Sequence, residues 1–464
     1  MDTLRRVTIV PLALLIAGAL TGPTVFGGPP PRRHVLFIAS DDLRPELGCY
    51  GNPLMRTPHL DALAASSVRF DRAYCQYPLC NPSRTSMLTG RHPTTTGVLD
   101  NRRWFRAEHP DVVTLPQHFQ AHGYVTARVG KIFHGGIDDT DAWTIGGEPR
   151  KFTGAVREGP GQDPKLSDRI VVLEGEGESH ADHKTATRAI ELLERFRGED
   201  RPFFLAVGFL KPHSPPTAPR AEFAKYDPAQ MLLPPDFASP PTVPPGFPTP
   251  SVPPRSSDLF IGRDASPEAA REMIRAYYAS ATFVDTQVGR VLAALDRLGL
   301  RDQTIIVFWG DHGYHLGEKG KWSKHNSLFE VGTRVPLTIA APGLAGNSQV
   351  SPRTVQLLDV YPTLVELCGL PMPPGLEGHS LVPLLQNPAA PWEHPAHSVT
   401  QMGKVLGETI RTERWRFTQW DGGESGILLF DEQNDPHEMT NLANDPARAD
   451  TIRALRHQLS QRGK

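Results

Sequence analysis

Cysteine is scarce in this sequence. Four residues in 464 cannot build a dense disulfide framework, so the fold must rest on a packed core. An excess of charge of either sign is also missing. Lysine and arginine total 49 against 51 aspartates and glutamates, for a formal net charge of −2. That balance gives no broad electrostatic grip on nucleic acid or on an anionic membrane. Beyond the N-terminal segment no apolar run approaches the ~20 residues needed to span a bilayer. With 39% hydrophobic and 22% charged residues, the composition is that of an ordinary soluble globular protein. The length admits about three domains at ~150 residues each, or one large α/β domain with a small companion. Proline, by contrast, is abundant: 46 residues, roughly twice the ~5% average, which demands long irregular connections.

The chain opens with Arg5 and Arg6, followed by an almost uninterrupted apolar run over residues 7–20. The small residues Gly22, Gly27 and Gly28 and the breakers Pro29, Pro30 and Pro31 come next. This is the layout of a secretory signal peptide over residues 1–28, cleaved between 21 and 28. The run is too short to span a bilayer, so cleavage is expected rather than anchorage. The mature protein is then expected to be exported, periplasmic or secreted, with no membrane attachment.

Four short apolar runs, at 35–39, 124–129, 203–209 and 304–309, lack polar alternation and are bounded by turn residues. They read as buried parallel strands. Helical patterns separate them at 57–68, 114–122 and 182–196, and over 266–298, where Ser266 is the N-cap, Pro267 the first helical residue and Gly299 the stop. Strands alternating with helices imply crossover units, hence an α/β fold with a large, mostly parallel sheet sandwiched by helices. Fifteen prolines fall between 212 and 254, and this stretch reads as a long ordered surface excursion, since strand and helix signals resume on both sides. After about residue 385 the pattern changes. Residues 414–419 and 427–430 read as strands of a small antiparallel sheet and 446–459 as a closing helix. The expected organisation is a large domain over 29–385 and a small α+β subdomain over 386–464.

Each buried strand runs directly into polar chemistry. Asp41 and Asp42 follow the first, Lys131 and His134 the second, Lys211, Pro212 and His213 the third, Asp311 and His312 the fourth. In open parallel sheets ligands bind beyond the carboxyl ends of the strands, so these groups are expected on one rim. Taken singly, an Asp pair is a turn former or helix cap and a histidine a hydrogen-bonded structural group. Four coincidences on one rim favour a site. The hard oxygens of Asp41, Asp42 and Asp311 suit Ca²⁺ or Mg²⁺, and adjacent carboxylates need a cation to coexist in a cleft. Thiolate-rich zinc spacing is absent.

Cys80-Asn81-Pro82-Ser83-Arg84 reads as a helix start, with the helix running on to Gly90. That places Cys80 at the positive end of the helix, where backbone N–H groups favour anions. A small buried cysteine beside a capping serine is the other reading of these residues. Cys-x-Pro-Ser-Arg followed by Leu88-Thr89-Gly90-Arg91 resembles the signature of the type I sulfatases, of the alkaline phosphatase superfamily. Asp41-Asp42-Leu43-Arg44-Pro45, Gly130-Lys131-x-x-His134, Lys211-Pro212-His213 and Gly310-Asp311-His312-Gly313 occur in the order of that family. Leu429-Phe430-Asp431 through Asp435-Pro436-x-Glu438 to Asn441-Leu442 is similar to its C-terminal sheet motif. Asp-Asp-Leu-Arg-Pro and Asp-His resemble the iduronate-2-sulfatase branch.

The resemblance implies a large mixed sheet with a smaller C-terminal antiparallel sheet and helix, and Cys80 oxidised to formylglycine by a separate formylglycine-generating enzyme. It implies one Ca²⁺ held by Asp41, Asp42, Asp311, His312 and the modified residue 80. It also implies hydrolysis of sulfate esters: a hydroxyl of the hydrated aldehyde attacks sulfur, Lys131 and Lys324 supply positive charge, and Arg84 orients the diol. His213, helped by Lys324, protonates the leaving oxygen, and His134 takes the proton from the second hydroxyl as sulfate departs. Lys324 owes its place to the resemblance alone, since its loop composition reads as solvated surface. The branch points to 2-O-sulfated uronate in a sulfated carbohydrate, with choline sulfate or another small ester as alternatives. Asn101-Arg102-Arg103-Trp104-Phe105-Arg106 reads either as a grip for a uronate carboxylate and sugar ring or as a solvated turn, and His325 is a similar candidate. Two other functions stay open: a phosphodiesterase or phosphonate hydrolase of the same superfamily, and a sulfated-glycan binder if Cys80 remains a thiol.

Overall fold

The computed structural model describes residues 33–148 and 167–461. The signal segment at 1–28 lies outside the described residues. The strand His34–Asp41 is the axis of the fold. Its side chains alternate between two cores, Leu36 and Ile38 to one face and Val35, Phe37 and Ala39 to the other. It is apolar from Val35 to Ala39 because helices cover both faces. Phe203–Pro212 pairs with it in parallel on one side and Thr304–Gly310 on the other, and Val125–Gly130 lies in parallel beyond Phe203–Pro212. The four runs read as strands in the sequence are thus four parallel neighbours.

The sheet continues past Thr304–Gly310 with Leu337–Ala340, which is antiparallel to both of its neighbours, then Val68–Tyr74, then Gln349–Gln356 at the edge. Arg334–Val335 pairs with Val68–Tyr74 to complete an eight-stranded mixed sheet. Sequence patterning misses these outer strands because Val68–Tyr74 and Gln349–Gln356 carry arginines, an aspartate and Pro352, and Leu337–Ala340 is only four residues long. The helix expected over 57–68 ends at Ala65, and Val68 begins a strand instead. Ser66 and Ser67 turn the chain there, each Oγ donating to the carbonyl of Leu63.

Helices Pro58–Ala65, Ala181–Phe196 and Pro267–Arg297 pack on one face of the sheet. Cys80–Thr89, Leu115–Ala121 and Val360–Leu367 pack on the other. Thr114 and Gln117 form a reciprocal capping box, and Ser266 caps Pro267–Arg297 through the N–H of Ala269. Among the described residues no helix is long and apolar enough to cross a membrane.

The C-terminal region is a four-stranded antiparallel meander: Ala396–Met402, Val405–Arg411, Trp415–Trp420 and Ile427–Asp431. Helix Ala449–Ser460 closes it, with Leu455 and Leu459 on Ile410, Phe417 and Leu429. The proline-rich excursion is ordered and structural. Its Phe247 and Val252 are buried with Phe329, Trp420, Leu428 and Phe430, so it ties a loop of the large sheet to the meander.

Gly208 shows how tightly the strand ends are fitted. Its carbonyl accepts from Lys131 N at 2.9 Å, and a Cβ on it would lie 1.9 Å from the Lys131 carbonyl oxygen. Gly208→Ala is therefore expected to destabilise the fold by about 1–3 kcal/mol, as overpacking does, and to displace the Lys131 turn. A denaturant midpoint equal to that of the unmodified protein would contradict this fit.

Candidate active site

The carboxyl ends of the four parallel strands converge as their sequence order requires. Asp41 ends His34–Asp41, and Asp42 follows with a φ of +63°, in the left-handed region that disfavours a side chain. Three hydrogen bonds hold that turn. Asp42 N donates to Asp311 Oδ1 at 3.0 Å, Tyr277 OH donates to the Asp42 carbonyl at 2.6 Å, and Asp311 N donates to the Ser40 carbonyl at 3.2 Å. Helix Cys80–Thr89 enters from the opposite face of the sheet. Its first residue points at the rim, with Cys80 Sγ 3.5 Å from Asp41 Oδ1 and 3.3 Å from His312 Nε2.

Arg84, one turn into that helix, is fully buried. Its Nε donates to Asp311 Oδ2 at 2.8 Å, and one terminal nitrogen donates to the carbonyls of Lys131 and Ile132 at 2.7 and 3.0 Å. The other terminal nitrogen lies 3.6 Å from Asp41 Oδ1. Only a planar fork serves these directions together. Lys131 pairs with Asp41 Oδ2. Lys324, far from a solvated surface lysine, is buried, 2.9 Å from Asp42 Oδ2 and 3.7 Å from Asp258 Oδ2.

These partners set the protonation states. Burial pushes the Asp41 carboxyl up, but Lys131, then His213, Arg84 and Lys324, hold it well below the usual carboxylate range. Burial would lower Lys324, yet Asp42 and its neighbours raise it well above the usual amine value. Burial, reinforced by Asp41, pushes the Cys80 thiol up. Unmodified Cys80 is therefore a neutral thiol, not a thiolate nucleophile.

Asp41, Asp42, Cys80 and His312 each bring a ligand atom to within 4.8 Å of the others. His312 Nδ1 lies 3.0 Å from the Gly313 carbonyl, which can only accept, so Nδ1 carries the hydrogen in that bond. Its Nε2 is then free to turn a lone pair toward Asp42 Oδ1 at 3.4 Å and Asp311 Oδ2 at 3.5 Å. Asp42 Oδ1 is buried and receives no donor. Converging lone pairs with no proton between them fit a cation, and the oxygen donors fit a hard divalent one. Asp311 adjoins this set, with its Oδ2 3.5 Å from His312 Nε2 and its oxygens also accepting from two backbone N–H groups and Arg84.

The remaining predicted groups face the same rim. Burial, with Lys131 adding, pushes His134 well below the ordinary histidine value, and its Nδ1 has no hydrogen-bond partner. His213 Nδ1 lies 2.8 Å from the Ser214 carbonyl and donates to it, leaving Nε2 available. Lys211 shapes that turn, its Nζ donating to the carbonyls of His213 and Pro215 at 2.7 and 2.8 Å. Asp258 and Tyr314 belong to the same cluster and carry no motif that sequence reading could have found. His325 is brought down to about 3, first by burial and then by Lys324.

Part of the basic, aromatic loop is committed to structure. Phe105 is core, and Arg106 forks onto Asp139 at 2.7 and 2.8 Å. Arg103 pairs with Glu108 at 2.9 Å. Asn81 Nδ2 donates to the carbonyls of Asp100 and Arg103, both at 2.8 Å, so the loop braces the start of the Cys80 helix. The four cysteines are all free thiols.

Replacing a residue that orients a ligand typically costs about 10–100-fold in metal affinity. Arg84→Lys is expected to weaken divalent-cation binding by about that factor in titration calorimetry. Undiminished affinity would remove Arg84 from the support of this centre.

Known proteins match this chain in sequence and in fold. Residues 33–370 match the family model for sulfatases, and residues 317–464 match that for the C-terminal part of N-sulphoglucosamine sulphohydrolase. Iduronate 2-sulfatase of Mus musculus is 34% identical over 522 aligned residues, covering 91% of this chain and 93% of that protein. Choline-sulfatase of Rhizobium meliloti is 31% identical, covering 89% and 83%. A structure solved in complex with its substrate, D-glucosamine-2-N,6-O-disulfate, superposes with a TM-score of 0.74 at 22% identity, covering 92% of this chain and 97% of that one. With its four strand ends, its helix-borne cysteine and its sequence matching over most of their length, this chain belongs to the sulfatase family, metal- and formylglycine-using hydrolases of sulfate esters, and is iduronate-2-sulfatase-like.

Proposed function

We propose that the protein removes a 2-O-sulfate from a uronate of a sulfated glycan, using formylglycine made from Cys80 and one Ca²⁺ ion. The observation that carries the reading is the convergence of Cys80 with Asp41, Asp42 and His312 inside a buried ring of lysine and arginine. Four buried carboxylates, Asp41, Asp42, Asp258 and Asp311, face three cations, the buried Arg84 and Lys324 and the half-buried Lys131. The likeness to iduronate 2-sulfatase supports the uronate.

Bound among Asp41, Asp42, His312, Asp311 and residue 80, the ion would polarise the sulfate oxygens, and the hydrated aldehyde would supply a hydroxyl aimed at sulfur and a second one for release. The protein's own groups do the rest. Lys131 and Lys324 hold fixed positive charge beside the cluster, where it needs no reorganisation as charge builds on oxygen. Arg84 fixes Asp311 and the Lys131 turn at once. His213, with Nδ1 locked on Ser214, holds on Nε2 the proton delivered to the leaving oxygen. His134, kept neutral by burial and Lys131, is the base that takes a proton at residue 80. The N-terminal segment supports export, so the substrate is met outside the cytoplasm.

Mass analysis of the peptide carrying residue 80, in an active preparation, is expected to give the aldehyde in place of the thiol. Intact thiol at full activity would refute the nucleophile. Cys80→Ser is expected to keep the fold and lose turnover, because a serine lacks the second hydroxyl through which sulfate is expelled. Substrate choice is tested by released sulfate. A disaccharide bearing uronate 2-O-sulfate is expected to exceed its 6-O- and N-sulfated isomers and choline sulfate. Preference for choline sulfate would overturn the uronate assignment and leave the sulfatase chemistry intact.

A further inference from the structure

The irregular segment after the proline-rich excursion brings one carboxylate into the site that no strand end supplies. Asp258 is 5% exposed. Its Oδ1 accepts from Ser214 Oγ, its Oδ2 accepts from Tyr314 OH at 2.8 Å, and Oδ2 lies 3.7 Å from Lys324 Nζ. These partners come from three separate stretches: Ser214 follows His213, Tyr314 follows His312 by two residues, and Lys324 lies in the next loop. The segment around Asp258 is laced to the Lys324 loop by backbone. Leu259 N donates to the Trp322 carbonyl and Trp322 N donates to Ser256 Oγ, both at 3.0 Å.

Lys324 needs such a partner. Its ammonium contacts Asp42 Oδ2 and lies 5.8 Å from the Tyr314 ring centroid. With Asp42 as its sole anion, the flexible lysine stem would let the ammonium follow that carboxylate rather than the substrate. Asp258 gives that ammonium a second carboxylate, 3.7 Å away.

We propose that Asp258 is a positioning residue for sulfate-ester cleavage: it aims the Lys324 ammonium at the leaving oxygen and, through Ser214, sets the turn that carries His213. The inference rests on the role given to Lys324 above. Burial pushes the Asp258 carboxyl up, but Lys324 first and His213 next bring it down to about 2, so the carboxylate is charged throughout the working range. Asp258 does not touch the four-atom ligand set, so its loss is expected to leave cation binding in place.

The test uses the matured full chain and a pair of aryl sulfates, 4-nitrophenyl sulfate and phenyl sulfate, whose leaving groups differ in basicity. Asp258→Asn keeps the shape and removes the charge. It is expected to lower kcat on phenyl sulfate by about 10–100-fold, the range expected when a charge-assisted contact is lost, with KM changed less than about threefold and a smaller loss on 4-nitrophenyl sulfate. In the Lys324→Ala background the same substitution is expected to cost less than about twofold, because residues that act as one unit are non-additive. Ser214→Ala, which removes one hydrogen bond and no charge, is expected to give a weaker form of the same pattern with an unchanged melting temperature, and carries the test if Asp258→Asn fails to fold. Equal losses on the two esters, or a full multiplicative loss on top of Lys324→Ala, would overturn the positioning role while leaving Lys324 in place. A Lys324→Ala enzyme with unaltered kcat would instead remove the reading of Lys324, and this inference with it.

Discussion

Carboxylates crowded where water is excluded repel one another, and the active-site architecture answers that repulsion. Asp41, Asp42 and Asp311 are all fully buried at one rim. Each is held by a different cation or donor set, Asp41 by Lys131, Asp42 by Lys324, Asp311 by Arg84 and two backbone N–H groups. What these contacts leave open, the undonated Asp42 Oδ1 and the Nε2 of His312, is what a divalent ion needs. The site is therefore not a cleft decorated with charges. It is an ionic lattice completed by its metal and by the anion it processes.

The fold supplies that lattice with rigid attachment points. Parallel strands covered by helices on both faces end together, so residues far apart in the chain arrive at one edge without long loops. The Cys80 helix supplies the element from the other core, and its first turn is braced by Asn81 on the Asp100 and Arg103 carbonyls. Strain is accepted where the lattice demands it. Asp42 adopts a positive φ, and three hydrogen bonds from remote segments hold it there. Gly208 accepts the opposite constraint, giving up a side chain so that the Lys131 turn can close against its strand.

Legibility in the sequence followed burial. The four central strands could be read because both faces are dry, which forces unbroken apolar runs. Val68–Tyr74 and Gln349–Gln356 could not, since strands with arginine, aspartate and proline lose the periodic signal on which reading depends, and Leu337–Ala340, at four residues, is too short to show a period. In the C-terminal meander, Trp415–Trp420 and Ile427–Asp431 were recognisable. Ala396–Met402 and Val405–Arg411 were not, being rich in polar residues whose burial arises only on pairing. The aromatic, basic loop near residue 101 admitted two readings for a related reason: Arg106 could serve an anion or a fixed contact until Asp139, from a distant turn, is seen to pair with it.

The sequence alone determined which side chains could meet: strand after strand ends in aspartate, lysine or histidine, and topology sends all those ends to one rim. It also determined the element type for each, because apolar periodicity and capping residues are local properties. Tertiary structure decided the charges and the partners. Lys324 is a plausible surface lysine until burial places it beside Asp42, and Asp258 has no local signature at all. Protonation and pairing depend on distance and dielectric, and neither exists until segments remote in the chain have packed together.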